Sequence, residues 1–323
     1  MQRWRRRGLV ACCMLGLTVT LAWAQTTRAP VKPKLERLRI AVAPLGFDSN
    51  LSWSHTISGL LDKRPALEFL VGIDRYTGQY IPELAEKWEM APDGRTWTVK
   101  LRKGIKFHEN WGEFTARDVR HAVFLITQPD AAASGTTFWR GVMGVTKTDP
   151  VEEVIKKTTQ NVEIVDASTV VFHLQQVVPE FVENISSMQD LPMESKARWD
   201  AGGKDLYGQK VVGTGPFEFV ERKLGSHVLY KRVENHWRHT PEYRELEFRW
   251  VPEGVTRLAS LLAGEVHISD VDRALQKDAI AKGMKISVSK FPAMQHQWQF
   301  GGTYFATPDK LDAKNPFLKR EVR

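Results

Sequence analysis

The sequence predicts an α/β fold with mixed sheets. Strand-like and helix-like segments alternate along the chain, and several strand-like pairs are joined by short turns, as in antiparallel hairpins. No internal repeat or low-complexity tract appears among the 323 residues. Beyond the N-terminal segment, no stretch is apolar enough for a membrane-spanning helix, which needs about 20 consecutive apolar residues.

The first 24 residues have the features of a secretory signal peptide. A head with four arginines and no acid precedes a short apolar run, and Ala22-Trp23-Ala24 supplies small residues at a cleavage point. We therefore expect export with cleavage after Ala24, followed by a flexible leader at 25–35. The alternatives are an uncleaved anchor, a lipoprotein cleavage box ending at Cys12 and a twin-arginine signal.

The cysteine content and the charge fit an exported protein. Cys12 and Cys13 both lie inside the predicted signal peptide, so the remaining 299 residues hold no disulfide, thiolate nucleophile or cysteine metal site. Loss of the four signal arginines lowers the net charge from +8 to +4. Because bases and acids are interspersed, the sequence does not favour nucleic-acid binding.

The first half of the mature chain predicts strands and a capped helix. Residues 38–42 are expected to form a first strand. A turn at Asp93 leads into a second strand at 96–102, in which apolar and polar residues alternate. Thr115 and Asp118 have the spacing of a capping box, and apolar residues at helical spacing follow them.

The second half predicts further hairpins and one more long helix. Hairpins are expected at 162–174 and 217–233, and a helix at 253–263 is expected to end at Gly264, which suits a left-handed position. The loop Gly213-Thr214-Gly215-Pro216 is expected either to need a positive φ or to line a cleft. The remaining predicted elements are a short helix at 179–185, a strand at 246–251 and a strand beginning at 266.

Several ordered segments of this chain carry a specific signature. They are Gly78 to Trp88, Asp93 to Trp97, Leu101 to His108, Thr115 to Val119, Gly213 to Phe217, Asn235 to Trp237, Gly264 to Ile268, Asn315 to Phe317 and Val322-Arg323. Together they resemble the family 5 solute-binding proteins, the peptide- and nickel-binding subunits of ABC importers. The resemblance implies a two-lobed periplasmic binding protein fold that closes over a ligand in the cleft between its lobes.

Three departures from the family pattern matter. The segment Phe107 to Gly112 is longer than the family's Phe-x-Asp-Gly, and His267 replaces the usual acid. The chain also stops at Arg323, where the resembling proteins continue. We therefore expect a truncated product or fragment, with lobe I at 36–288, an inserted subdomain at about 75–205, and only the start of lobe II at 289–323.

Three segments are candidates for ligand contact. The first follows the first strand, the second follows the capped helix, and the third lies just past the expected crossing between the lobes. For each aromatic residue, the alternative is packing in the core. The candidate residues are Phe47, Asp48, Trp53, Phe138, Trp139 and Trp298. In the resembling peptide binders, an acid and an arginine on the second lobe hold the ends of the ligand, and both would lie beyond Arg323.

The resemblance implies a monomeric periplasmic subunit that captures peptides or similar small organic solutes. It would deliver them to an ABC permease with paired ATPases and meet the membrane only through that permease. A nickel chelate and a sugar are the alternative ligands. The alternatives are a sensor that presents ligand to a receptor and, less favoured, an exported hydrolase.

No enzyme, cofactor or metal site is predicted. The sequence has no Gly-x-Ser-x-Gly elbow, phosphate-binding loop or dinucleotide fingerprint, so no catalytic residue is assigned. His236 and His239 have a spacing that could suit a metal, but no third ligand accompanies them in the sequence.

Overall fold

The computed structural model describes residues 34–44, 48–54, 60–189 and 191–287. The strands β1 to β11 are, in chain order, Leu35–Val42, Val71–Ile73, Tyr80–Pro82, Ala85–Met90, Thr96–Leu101, Val162–Asp166, Thr169–His173, Phe217–Lys223, His227–Arg232, Tyr243–Trp250 and Ile268–Ser269. The helices α1 to α7 are Ala116–Thr127, Thr136–Met143, Val151–Asn161, Phe181–Asn184, Lys196–Gln209, Gly254–Leu262 and Gln276–Ala281.

The larger sheet has five strands in the order β11-β1-β10-β9-β8. β1 pairs in parallel with β10 and with β11, whereas β9 pairs antiparallel with β10 and β8. The sheet is therefore mixed, which confirms the fold class predicted from the sequence. Its strands contribute Tyr230, Leu246 and Phe248 to a core that also holds Leu67 and Phe69 from the segment before β2; we call it the smaller core.

A second sheet has four antiparallel strands in the order β4-β5-β7-β6. The side chains of Trp97, Val99 and Leu101 on β5 are all buried, which confirms the alternation predicted for this strand. α1 packs against α2, α3 and β6. These elements enclose the larger core, to which Phe172 and Phe181 also belong.

The capping box at the start of α1 forms as predicted. The hydroxyl of Thr115 accepts a hydrogen bond from the Arg117 backbone N–H, and the carboxylate of Asp118 accepts one from the Thr115 N–H at 2.8 Å. The other Asp118 oxygen accepts from the Lys196 N–H at 2.8 Å. The cap of α1 therefore also fixes the start of α5, a contact with no signal in the local sequence.

Two long helices were not predicted from the sequence, for different reasons. α3 buries only Val154 and Thr158, so its apolar stripe is too narrow to give a clear helical period. α5 contains Gly202 and Gly203, and Gly203 has a φ of 55°, so the composition of this segment resembles that of a loop. Both helices depend on tertiary contacts more than on local preference.

The other predicted elements form with shifts of a few residues at their ends. The hairpins at 162–174 and 217–233 are present, and Gly264 follows α6 with a φ of 75°, in the left-handed region as expected. The strand expected from 266 begins instead at Ile268, and the buried Val266 bonds through its N–H to the Ser260 carbonyl of α6. Within the described residues, no helix is both long and apolar enough to cross a bilayer.

The glycines of the loop at 213–216 are needed for close backbone approach, not for a positive φ. Neither Gly213 nor Gly215 is among the residues with positive φ, so that expectation was wrong. A Cβ on Gly213 would lie 2.1 Å from the carbonyl oxygen of Ala66, and a Cβ on Gly215 would lie 2.6 Å from that of Pro65. The loop therefore packs directly on the backbone of the segment before β2.

Substitution Gly213→Ala should destabilise the protein by about 2 kcal/mol or more, because the added methyl group would displace backbone atoms in a packed region. Gly208→Ala is the matched control, since a Cβ there would meet nothing within 4 Å. Urea unfolding followed by circular dichroism measures both. Equal unfolding midpoints for the two variants would contradict the close approach.

Candidate functional site

The carboxyl ends of three parallel strands meet at one edge of the five-stranded sheet. β1, β10 and β11 run in the same direction and end at Val42, Trp250 and Ser269. Open α/β sheets place their ligands beyond the carboxyl ends of their strands, where the connecting segments converge. The segment after β1 includes the candidate Asp48. This carboxyl edge is therefore the candidate site.

Arg257 fixes the two segments that follow β10 and β11. Its side chain projects from α6 and is only 4% exposed. One guanidinium nitrogen donates to the carbonyl oxygens of Val251 and Pro252 at 2.8 and 2.7 Å, and the other donates to the Asp272 carboxylate at 3.0 Å. The sequence did not reveal this role, because the partners of Arg257 lie on segments that only the fold brings together.

Residues 48–54, which we call loop 48–54, are held by a second buried arginine. The Arg222 side chain is 4% exposed, and its nitrogens donate to Asp48 and Asn50 at 2.7 Å and to Asp62. The second oxygen of Asp48 accepts from the Gly225 N–H at 2.7 Å. Both oxygens of the predicted ligand residue Asp48 are thus already engaged within the protein.

Ser52 connects the same loop to a buried acid. Its hydroxyl donates to the carboxylate of Glu194, and both side chains are almost fully buried. Burial raises the pKa of Glu194 to about 7, against the opposing effects of the Ser52 hydroxyl and the nearby charges of Arg198 and Lys63. Below pH 7, Glu194 is therefore protonated in the folded protein.

Trp53, the third predicted contact in this region, belongs to the larger core. The residue is 1% exposed, and its ring lies 5.8 Å from the rings of Trp199 and Tyr207. Its carbonyl oxygen accepts from the N–H groups of Ala132 and Ala133 at 2.8 and 3.0 Å. In this conformation, Trp53 anchors loop 48–54 to the segment between α1 and α2 and offers no free face.

The two aromatic candidates on α2 differ in exposure. Trp139 is fully buried and packs against Phe181 and Phe172, with ring centroids 5.7 and 6.2 Å away. Phe138 is half-buried and packs edge-on against Trp139 at 5.6 Å. Of the two, only Phe138 has surface to offer a ligand. The remaining candidates, Phe47 and Trp298, lie outside the described residues.

A buried carboxylate holds the loop at 213–216. The Glu68 side chain is 1% exposed and accepts hydrogen bonds from the Thr214 hydroxyl and the Trp237 indole N–H, both at 2.8 Å. It also pairs with the guanidinium of Arg238 at 2.9 Å, which in turn pairs with Glu83 at 2.9 Å. Burial raises the pKa of Glu83 to about 7.

The histidine weighed above as a metal ligand has a structural role. The Nε2 atom of His236 lies 2.9 Å from the Thr214 carbonyl oxygen and 3.6 Å from a Glu68 oxygen. Its other ring nitrogen accepts from the backbone N–H groups of Arg238 and His239. In the part of the chain that the structure describes, no group of three metal-ligating side chains is present.

Substitution Arg222→Met should lower the free energy of unfolding by about 3 kcal/mol, because it removes the guanidinium shared by Asp48 and Asn50 and leaves buried Asp62 with only the Lys63 ammonium, at 3.3 Å. Arg222→Lys should lose less, since the charge remains but the planar fork is gone. The control is Lys231→Met, which breaks an exposed pair with Glu218 and should cost at most about 1 kcal/mol. Chemical unfolding of the three variants tests the ranking, and equal losses would contradict it.

Glu83 and Glu194 should each contribute stability that is lost as the pH rises from about 4.5 to 7, against the opposite contribution of buried His121, whose pKa is lowered to about 3. Over that range the unfolded chain releases the protons of Glu83 and Glu194, whose ordinary pKa is 4.5, while the folded protein keeps them because both pKa values are raised to about 7. Glu194→Gln and Glu83→Gln should each remove one of these contributions and so make the slope of stability against pH less negative, and the double variant should remove both. Urea midpoints measured every half pH unit give the slopes; an unchanged slope in both single variants would disprove the linkage.

Comparison with known proteins gives a family match. Residues 79–323 match the model of the bacterial extracellular solute-binding proteins, family 5 middle. The chain is 27% identical over 288 residues to the dipeptide-binding protein of Escherichia coli K12, covering 87% of this chain and 52% of that protein. It is 30% identical over 233 residues to heme-binding protein A of Haemophilus influenzae, covering 69% and 41%. The chain thus spans about half the length of these curated relatives.

A solved structure gives the same result at the level of the fold. The ABC transporter-associated periplasmic binding protein DppA of Helicobacter pylori, in complex with the peptide STSA, matches with a TM-score of 0.62 and 23% identity. The match covers 76% of this chain and 48% of the other. This protein therefore shares the α/β fold of the two-lobed periplasmic binding proteins. Since the family model matches well over half of the residues, the chain belongs to the bacterial extracellular solute-binding proteins of family 5.

Proposed function

We propose that this chain provides the first lobe of an exported solute-binding protein that captures peptides or similar small organic solutes. The captured solute passes to a membrane permease driven by paired ATPases. Membership of family 5 over residues 79–323 carries the proposal. In this assignment lobe I spans 36–288, with an inserted subdomain at about 75–205, and lobe II begins at 289.

The rigidity of loop 48–54 supports a binding role for the carboxyl edge. Arg222 holds the beginning of the loop, while Ser52 and the carbonyl of Trp53 fix its end. A loop that is ordered before the ligand arrives loses little conformational entropy on binding, so more of the contact energy appears as affinity. The loop is thus prepared to present side chains to a solute above the sheet edge.

We assign contact with solute to Phe138, whose ring is half-buried, and a supporting role to the described candidates whose side chains are buried or already bonded within the protein. The supporting residues are Asp48, Trp53 and Trp139, while Phe47 and Trp298 stay predicted contacts outside the described residues. The half-buried ring of Phe138 is suited to pack on an apolar side chain of a peptide. Asp48 supports the site through its bonds to Arg222 and to the Gly225 N–H.

The relatives indicate the chemical class of the proposed ligand but not its identity. Two relatives carry the names of a dipeptide-binding and a heme-binding protein, and these ligands differ widely in size. The proposed role requires binding and release without breaking a bond, so we assign no catalytic residue. Export to the periplasm is supported by the basic head and the apolar run at the N-terminus.

Tryptophan fluorescence of the purified mature chain tests this role. Nine of the eleven tryptophans remain after removal of the predicted signal peptide, so contact with a ligand should change the emission. A panel of dipeptides, nickel–histidine complex and simple sugars serves as the set of probes. We expect a saturable change with at least one dipeptide, and mass spectrometry should recover that dipeptide intact.

Substitution Phe138→Ala should weaken this binding about tenfold, the loss expected for one aromatic contact. The matched control is Tyr76→Ala, which removes an aromatic ring that is 59% exposed on the turn between β2 and β3. No saturable response to any probe, or release of hydrolysed products, would refute the proposed function. Equal losses of affinity in the two variants would show that Phe138 does not contact the ligand.

A further inference from the structure

A cavity of about 980 Å³ lies in the inserted part of the chain, apart from loop 48–54. Its walls come from the first half of α1, the middle of α3, β6 and the start of α5. No residue of loop 48–54 is among those that line it. The volume falls at the upper end of the range typical of small-molecule sites, about 300 to 1,000 Å³.

Much of the cavity wall is apolar or aromatic. The ring of Trp199 is half-buried and lies 5.3 Å from the ring of His121 and 5.7 Å from that of Phe124. Ile155 is 48% exposed, so the cavity leaves a large aliphatic side chain in contact with solvent. A ligand with an apolar body would remove this surface from water at a gain of about 25 cal/mol per Å².

One cation in the wall lacks a counter-charge. Among the residues that the structure describes, none forms a hydrogen bond or an ion pair with the guanidinium of Arg120. Burial and the neighbouring charge of Arg117 both lower the pKa of Arg120, and no carboxylate acts in the opposite direction. Partial burial of an unpaired guanidinium next to another cation is unfavourable, and an anion in the cavity would relieve both effects.

The acids in the wall accept hydrogen bonds from other groups, and among the described residues none of them is paired with Arg120. The carboxylate of Asp118 accepts from the N–H groups of Thr115 and Lys196. The side chain of Lys196 pairs in turn with Asp200. The other two acids that line the cavity, Glu113 and Asp166, accept hydrogen bonds from Gly104 and Ser168 respectively.

The ring of His121 forms part of the cavity wall but carries no charge. Burial lowers its pKa to about 3, so the ring is neutral at physiological pH. The Tyr207 hydroxyl donates to the Ser195 carbonyl oxygen at 2.6 Å, so the Nε2–H of His121 donates to the Tyr207 oxygen at 3.2 Å. Of the cations in the wall, Lys196 is paired with Asp200, so Arg117 and Arg120 are the ones that can meet an anion.

We propose that this cavity is a second binding site for a small amphiphilic carboxylate, separate from the solute site at the sheet edge. The acid group pairs with the guanidinium of Arg120, whose planar fork matches a carboxylate in two parallel hydrogen bonds. The apolar body lies on Trp199 and Ile155. Both recognition elements are required, since a polar anion leaves the apolar wall in water and a neutral amphiphile leaves Arg120 unpaired.

The test uses 4-phenylbutyrate as the probe and 4-phenylbutan-1-ol as its neutral analogue, each titrated into the purified chain by calorimetry. We expect a dissociation constant of about 0.1 to 1 mM for the acid and at least about tenfold weaker binding of the alcohol. Arg120→Gln should weaken binding of the acid about tenfold or more and bring it level with the alcohol. Arg120→Lys should retain part of the preference, because the charge remains.

Two further variants locate the site. Arg95→Gln, which removes an exposed arginine outside the cavity, should leave binding of the acid unchanged. Thr159→Trp, which adds bulk to the α3 wall, should abolish it. Unchanged binding of the acid in the Arg120→Gln variant, or equal affinity of the wild-type chain for acid and alcohol, would overturn the proposal. Circular dichroism of each variant separates loss of binding from loss of fold.

Discussion

The position of loop 48–54 depends on the buried guanidinium of Arg222. One planar group meets Asp48, Asn50 and Asp62, and thereby joins a strand of the five-stranded sheet to the segment after β1 and to the start of the smaller core. Such a group is costly to bury alone, but three oxygen acceptors at the geometry of its fork satisfy it. Asp62 also meets the buried ammonium of Lys63, at 3.3 Å, but only the guanidinium reaches all three acceptors at once. The loop and the sheet therefore keep one relative arrangement.

Polar groups also join the two cores of the molecule at other points. Glu68, which lies beside the smaller core, shares Arg238 with Glu83, which follows β3 and precedes Leu84 of the larger core. Within the larger core, Ser52 bonds Glu194 and so ties loop 48–54 to the segment before α5. Apolar packing tolerates many small shifts, whereas a buried carboxylate with a fixed set of donors does not. The cores supply the bulk of the stability, and these few contacts define the relative position of the two cores. As a consequence of this burial, the pKa values of two of the acids, Glu83 and Glu194, are raised to about 7.

Local features were predictable from the sequence and long-range ones were not. The alternation in β5 and the pair of Thr115 with Asp118 act over a few residues, so their patterns are visible in the chain itself. The partners of Arg222 lie 160 to 174 residues away, and nothing near Arg222 indicates them. The same holds for the site: aromatic residues in loops were identified as candidates, but only the fold distinguishes the half-buried ring of Phe138 from the fully buried one of Trp139.

The central place of β1 in the five-stranded sheet has a consequence for the synthesis of the protein. The strand that leaves the ribosome first is flanked on both sides by strands that begin at Tyr243 and Ile268. At translation rates of about 5 to 20 residues per second, β1 waits for roughly 10 to 40 s before its first neighbour exists. Until then β1 has no partner in this sheet, whereas the buried residues of the larger core, from Trp53 to Tyr207, have all been made. The strand order therefore makes the five-stranded sheet complete later during synthesis than the four-stranded sheet.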